Sequence, residues 1–489
     1  MKSLGIDIGT TTISAALLED GALIESKTQK NDSALQGRFL WEKLQNPDRI
    51  AEIAVGAAQE FLKKYPGIER IGVTGQMHGI LYLDAYGSPV SPLYTWQDGS
   101  GDQPMTEGEA AVHAAGDDAA LHGIVSEGAD ASDQSLHPAV SYAECLSHLT
   151  GYEVHTGYGM ATYFYHQRND LVPENACVLC TIPDYIAMVL AGARQPVMDA
   201  SNAGSIGLFD IANGRFDVAA IQRAGLTETM LPGMAKTEAI GTFGKQARVY
   251  PAIGDNQASF LGTVTKVEGQ MLVNVGTGSQ FSVFSKTYLS CQGLETRPFP
   301  GGGYLIVGAS LCGGYAYALL ERFFRQTEQM LLAENKTGTF APTDNTADAK
   351  RPEDANISAS ADSVYEKMSV LLSACPKPDN LPQVDPLFLG TRQNPALRGS
   401  ISGLSVDNFT PGHLIWGFLD GIAGELHQMY EQYRKAGGTE AVLVGSGNGL
   451  RKNKFLQQCF EEKFGQKLEL PDCAEEAASG VAKYVCGLK

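Results

Sequence analysis

Positive charge is what this chain has least of: 37 lysines and arginines face 55 aspartates and glutamates, a net charge of −18. No basic stripe is available to neutralise a phosphate backbone, so no nucleic-acid partner is expected. The surplus of carboxylates keeps the molecule soluble and says nothing about its fold. Long apolar runs are missing as well. None approaches the roughly 20 residues that a membrane-spanning helix needs, so no membrane partner is expected. Met1-Lys2-Ser3 leads straight into a strand-like run rather than a signal peptide. The nine cysteines are scattered and odd in number, so no disulfide framework is expected, and a reducing cytoplasm fits best. Cys177-Val178-Leu179-Cys180 is a C-x-x-C pair with no second pair at zinc spacing. Val-Leu between the cysteines suits a buried strand, which favours a structural role.

What is present is length and alternation. The 489 residues suffice for two or more domains, and 43% apolar residues is ordinary for a globular chain. Strand-like and helix-like patterns are mixed throughout, so the fold class is α/β. Asn46-Pro47 should cap and open a helix whose apolar face is Ile50, Ile53, Ala54, Ala57 and Phe61. Residues 70–74 and 176–183 read as strands. Residues 98–133 read as an irregular excursion, and 326–383 as a variable, polar one around a short helix at 364–372. Later helices are expected at 310–325, 413–435, 452–464 and 473–486, with a strand at 441–444.

Two short loops carry the functional reading: Asp7-Ile8-Gly9-Thr10-Thr11-Thr12 and Asn274-Val275-Gly276-Thr277-Gly278-Ser279. Each lies between two extended runs, so each reads as a hairpin with a turn of glycine and hydroxyl residues. Glycine admits close approach of a ligand, and successive N–H groups in such a turn form a concavity for anions. One Gly-Thr turn commonly just joins strands. Two, one in each half, can clamp a polyphosphate.

Other residues add chemistry. Asp7, at the end of a strand beside the first turn, suits a metal-bound water near that polyphosphate. Asp255, in Ile253-Gly254-Asp255-Asn256-Gln257, is equally readable from spacing as a general base or a helix N-cap. Gln76-Met77-His78-Gly79 and Trp96-Gln97-Asp98-Gly99 offer an imidazole, a carboxylate, amides and apolar faces, a mixture that suits a polyhydroxylated ligand. Taken singly, His78 reads better as a satisfied core histidine and Trp96 as a core aromatic. Gly445-Ser446-Gly447-Asn448-Gly449 stands between a strand and a helix, where backbone N–H groups can meet a nucleotide. With Glu469 and Asp472 further on, it is also a loose dinucleotide-binding pattern.

In combination these pieces resemble the FGGY carbohydrate kinases of the actin/hexokinase/Hsp70 superfamily. The resemblance rests on GIDIGTTT at the start, GVTGQMHG at 72–79, TWQDG at 95–99, AIGDNQAS at 252–259, NVGTGSQFS at 274–282 and VGSGNGLRKN at 444–453. It runs from residue 4 to about 485 and is poorest over 326–383. It implies two actin-like (ribonuclease H-like) domains with an interdomain cleft: 1–262 for the sugar and the catalytic aspartate, 263–489 for ATP. It implies ATP-dependent phosphorylation of a ketose at its terminal hydroxyl, with Asp255 as base. Met77, His78, Trp96, Asp98, Asn256 and Gln257 would form the substrate side. Gly9, Thr10 and Thr11 would face the γ-phosphate, and Gly276 and Thr277 the other phosphates. Gly313, Gly314, Gly445, Ser446, Gly447 and Asn453 would border the adenosine, while Asp7 and Asp255 would help to hold Mg2+. Segments 156–168, 197–210 and 304–314 favour sedoheptulose over xylulose or another sugar or polyol. Ser100 stands where the family often has arginine, which weakens the choice of substrate and leaves phosphoryl transfer intact. A nucleotide-switched binding protein and, last, a dinucleotide oxidoreductase are the rival functions. The partners expected are the small-molecule sugar and ATP, with a homodimer left open.

Overall fold

The protein is described here as a computed structural model, which covers residues 1–105, 140–332, 363–391, 394 and 396–488. It divides into two compact units. The first comprises Met1–Gly262, Arg297–Gly303 and Cys473–Lys489; the second comprises Thr263–Thr296 and Tyr304–Asp472. The expected split at 262 therefore gives two segments of its second half back to the first unit.

Unit 1 is built on a seven-stranded sheet. Strand Lys2–Ile8 pairs antiparallel with Thr12–Glu19 and parallel with Ile68–Gly75. Short strand Ile253–Gly254 pairs parallel with the end of Ile68–Gly75. Leu4, Ile6, Ile8, Ile71 and Val73 are buried. The sheet is covered by helices, among them Pro47–Lys64, which Asn46 caps by accepting from the Asp48 and Arg49 amides at 3.0 and 3.2 Å. The apolar face expected for that helix is the buried one.

The C-terminal helix Glu476–Gly487 joins unit 1 because glycines make room for it. Gly5 and Gly72 face each other in register, and a Cβ on either would run into Ala478 or Val481 of the helix. Buried Arg70 donates from Nη1 to the Val485 carbonyl at 2.5 Å and also to that of Leu488. Lys483 donates to the Gly262 carbonyl at 2.5 Å, placing a cation at the C-terminus of helix Asp255–Thr263.

In unit 2, strands Tyr304–Ser310, Ser279–Ser285, Gln270–Val275 and Val442–Ser446 lie side by side in a five-stranded sheet. Helix Pro411–Lys435 buries Ile415, Trp416, Leu419, Ile422 and Leu426 against this unit's core.

Several elements differ from the sequence reading. The strand expected over 176–183 is only Val178–Cys180; Thr181 then stands at the N-terminal boundary of helix Ile182–Ala191, and Pro183 falls in its first turn, where no N–H is needed. The helix expected at 310–325 is Gly313–Leu332, so it runs into the stretch read as an excursion, of which 333–362 lie outside the described residues. Likewise, only 98–105 of the 98–133 excursion are described, and they include a helical turn, Ser100–Asp102. The helix at 452–464 begins only at Lys454 and is preceded by a separate one, Asn448–Lys452: Asn453 leaves helical backbone after the first, and its side chain caps the second. All nine cysteines are free; Cys180 is buried in its strand while Cys177 is exposed. Among the described residues no helix is long and apolar enough to cross a membrane.

Candidate active site

Strand register assembles the site in unit 1. Ile8 is level with Gly75 across one parallel pair, and Gly254 is level with Gly75 across the next. Three strands thus end on one edge of the sheet. The residues that follow them, Gly9-Thr10-Thr11, Gln76-Met77-His78 and Asp255-Asn256-Gln257, emerge together. Ligands bind off the carboxyl ends of parallel strands in α/β sheets for this geometric reason.

Hydrogen bonds then fix the first turn. Thr10 donates its hydroxyl to Gln76 Oε1 at 3.3 Å and accepts from Trp96 Nε1 at 3.1 Å. Gln76 Nε2 donates to Gln45 Oε1, whose own amide donates to the Thr10 carbonyl, both at 2.8 Å. Asn31 donates to the Gly9 carbonyl at 2.8 Å. Trp96 is therefore not a core aromatic, since 36% of it is exposed beside the turn. Gln45 and Asn31 went unread in the sequence. They lie 35 and 22 positions from their partners, and nothing local marks them.

His78 occupies left-handed backbone, φ +75°, uncommon for a residue with a side chain and frequent at functional sites. Ser205 holds it there: its hydroxyl accepts the His78 amide at 3.2 Å, and its carbonyl lies 2.6 Å from Nδ1. That carbonyl can only accept, so Nδ1 carries the proton and Nε2 is the ring's acceptor. Tyr158 stacks on the ring at 4.6 Å between centroids. One helix, Ala200–Ile206, serves both ends of the site, because Ser201 of the same helix accepts the Gly254 amide at 3.0 Å.

Asp98 is turned inward. Its carboxylate accepts from the Ser100 hydroxyl and, at 3.0 Å, from the Ser100 amide. Burial pushes its pKa above the usual range, and the Ser100 bonds oppose that. The segment 156–168 docks on this loop through Thr156, which donates to the Asp98 carbonyl at 3.3 Å, and through Gly157 at φ +79°, where a Cβ would overlap the Trp96 carbonyl. Met77 is buried too. Gln257 has no exposed surface, and its amide donates to the Pro298 carbonyl at 2.8 Å. Of the residues expected on the substrate side, His78, Trp96 and Asn256 are not buried.

Asp7 and Asp255 repel one another. Burial, then Asp255 and then Glu475 push Asp7 up to about 7. Asp255 is also raised by burial, while Asn256 and Arg297 act against the rise. Asp255 opens its helix with its carboxylate accepting from Asn256 Nδ2 at 2.8 Å. Among the described residues no group of three or more His, Cys, Asp or Glu is arranged to hold a metal ion. Two mutually repelling carboxylates nonetheless fit Mg2+, which commonly takes one or two carboxylates plus water and substrate phosphates.

In unit 2 the second turn closes on the helix that follows the sheet. The Gly276 and Thr277 carbonyls accept from Gly314 and Tyr315 at 2.9 and 2.8 Å. A Cβ at Gly313 would come within 2.7 Å of the Gly278 backbone, and one at Gly314 would overlap the Gly276 carbonyl. Neither position has room for a side chain against the second turn. Strand Gln270–Val275 runs parallel to Val442–Ser446, with Asn274 level with Ser446. Asn274 Nδ2 donates to the buried Ser446 hydroxyl at 2.6 Å, tying the 276–278 turn to the 447–449 turn. Gly445 packs against Leu468 and Leu470, and Gly447, at φ +86°, against the Val275 backbone. Asn453 accepts from the Phe455 and Leu456 amides at 3.1 Å.

Two models of one family, the FGGY family of carbohydrate kinases, cover the chain: the N-terminal domain matches residues 3–114 and 143–253, and the C-terminal domain matches 271–486. The chain belongs to this family. It is a carbohydrate kinase, a phosphotransferase, with the family's two-domain α/β fold. Sedoheptulokinase of Mus musculus is 27% identical to this kinase over 94% of the chain and 92% of its own length. The structure of xylulose kinase from Rhodospirillum rubrum superposes with a TM-score of 0.74 at 20% identity, covering 99% of this chain and 89% of that one. Plasmodium falciparum glycerol kinase with ADP superposes with a TM-score of 0.69 at 18% identity, over 98% and 88%. At these identities the structures show a shared fold.

Within this FGGY kinase, Gly276 separates two causes cleanly. It lies outside the left-handed backbone region, and a Cβ there meets nothing nearer than 3.9 Å. Gly276→Val should therefore fold normally and weaken ATP binding by about tenfold or more, about 1.4 kcal/mol. Calorimetric titration with ATP checks this; unchanged affinity in the folded variant would remove the turn from the nucleotide site.

Proposed function

We propose that the protein transfers the γ-phosphoryl group of ATP to the terminal hydroxyl of a ketose, with sedoheptulose ahead of xylulose. The observation that carries this reading is the common strand edge of unit 1, where Asp7, the Thr10 turn, His78 and Asp255 emerge together. Phosphoryl transfer needs mainly positioning, charge stabilisation and one base. Asp255 takes the proton of the terminal hydroxyl as that oxygen attacks the γ-phosphorus. His78 accepts a sugar hydroxyl through Nε2, Asn256 adds polar contact, and the exposed face of Trp96 covers sugar carbons. Met77, Asp98 and Gln257 support this surface from beneath. Asp7 and Asp255 would hold Mg2+, which would neutralise phosphate charge. Gly9, Thr10 and Thr11 face the transferred group; Gly276 and Thr277 face the remaining phosphates, with Gly445, Ser446, Gly447 and Asn453 shaping the adenosine side. The sedoheptulokinase similarity along 94% of the chain supports the seven-carbon preference, and the ADP in the Plasmodium falciparum glycerol kinase structure supports ATP as donor.

ADP release measured across ketoses and polyols tests the reading. Sedoheptulose should give the highest kcat/KM, because a shorter sugar leaves polar groups of the site unpaired. Xylulose or another sugar ahead by tenfold would overturn the substrate and leave the kinase. Failure of every sugar and polyol with ATP still bound would overturn both.

A further inference from the structure

We propose that Arg297 is a positioning residue for phosphoryl transfer, its guanidinium holding the Asn256 carboxamide in the orientation that presents an N–H to Asp255. Two bonds in series carry this. Arg297 Nη1 donates to Asn256 Oδ1 at 2.8 Å. Asn256 Nδ2 donates to Asp255 Oδ1, also at 2.8 Å. A guanidinium has donors and no acceptor, so it accepts only the oxygen end of the amide as its neighbour. A carboxylate likewise accepts only the nitrogen end. Each terminal group therefore enforces the same orientation, and the charge-assisted bond from Arg297 is the stronger kind. With Oδ1 of Asp255 held, rotation of the carboxylate about Cβ–Cγ is fixed, and with it the direction of the other oxygen. Without the guanidinium the amide is held at one end only, so it is free to swing away from the carboxylate and leave Asp255 Oδ1 without its fixed donor. Arg297 comes from the Arg297–Gly303 segment that packs with unit 1, 41 positions from Asn256.

The inference rests on the kinase reading of this site, so its test includes a readout that needs no turnover. The variants are Arg297→Met, Asn256→Ala, the double variant and Arg297→Lys, each checked for thermal midpoint and ATP affinity. Arg297→Met should lower kcat by about tenfold to a hundredfold, the scale of a small misplacement of a reacting group, while the sugar KM stays within about threefold. Arg297→Lys should recover part of the loss. The loss in the double variant should fall well short of the product of the two single losses, because Arg297 acts chiefly through Asn256. Losses that multiply in the double variant would overturn the proposal. Independently, with selective 15N-asparagine labelling, the Asn256 side-chain amide is the resonance missing from Asn256→Ala. It should shift and exchange faster in Arg297→Met, and an unmoved resonance would also overturn the proposal. If the wild-type protein phosphorylates no sugar, the kinase reading falls while the amide spectra still decide the role of Arg297.

Discussion

Asp255→Asn should abolish most sugar-dependent turnover, lowering kcat by about a hundredfold to ten-thousandfold, while the fold and ATP affinity persist. The amide matches the carboxylate in size and can still accept from Asn256 Nδ2, now 2.8 Å from Asp255 Oδ1. It cannot take a proton from the attacking hydroxyl. Folding should not suffer, because burial already disfavours the charged form of Asp255 and repulsion from Asp7 is relieved when the charge is removed. The measurement is ADP release with saturating ketose, alongside ATP titration and thermal melting. A kcat near the wild-type value would remove Asp255 as the base.

Gly480→Val should have the largest effect on stability. The C-terminal helix and helix Asp255–Thr263 meet backbone to backbone. A Cβ at Gly480 would overlap the Ala258 carbonyl oxygen and lie 2.6 Å from the Gly262 nitrogen. The reverse also holds, since a Cβ at Gly262 would overlap the Glu476 carbonyl oxygen. Overpacking against side chains can relax by rotamer change, whereas overpacking against backbone must move a helix. The cost should be about 3 kcal/mol or more. That corresponds to a fall of roughly 5 °C or more in the melting midpoint of a unit this size. Turnover should fall too, because the displaced helix begins at Asp255. Gly487→Ala is the control in the same helix, where a Cβ meets nothing within 4 Å. It should be neutral or slightly stabilising. Equal midpoints for the two variants would show that the helix contact tolerates a side chain.

What could be read directly was local. Asn46-Pro47 opened a helix as capping chemistry requires, and the buried face at Ile50, Ile53, Ala54, Ala57 and Phe61 followed from a period of 3.6. Both glycine–hydroxyl loops are turns between antiparallel strands, Ile8 facing Ile13 and Val275 facing Ser279. Where the chain misled, a local rule had two outcomes. Pro183 suits a strand end and a helix first turn equally, and the run before it turned out to be three residues of strand.

The sequence by itself determined which chemistry is available: a carboxylate after one strand, a second after another, an imidazole and glycine turns between. These are properties of residue type and near neighbours, and hydrogen bonding within a few positions decides them. Only the tertiary structure decided which side chains face outward. Asp98 and Gln257 are spent inward on Ser100 and the Pro298 carbonyl, while Trp96, which taken singly reads as a core aromatic and in combination as a substrate-side residue, is exposed. It also decided that Ser205 sets the His78 tautomer from 127 positions away. Arg297 and the C-terminal helix return to unit 1 in the same way. Strand register and the room left by Gly5, Gly72, Gly262 and Gly480 make those choices. Both are relations between distant segments, and no pattern within one segment encodes them.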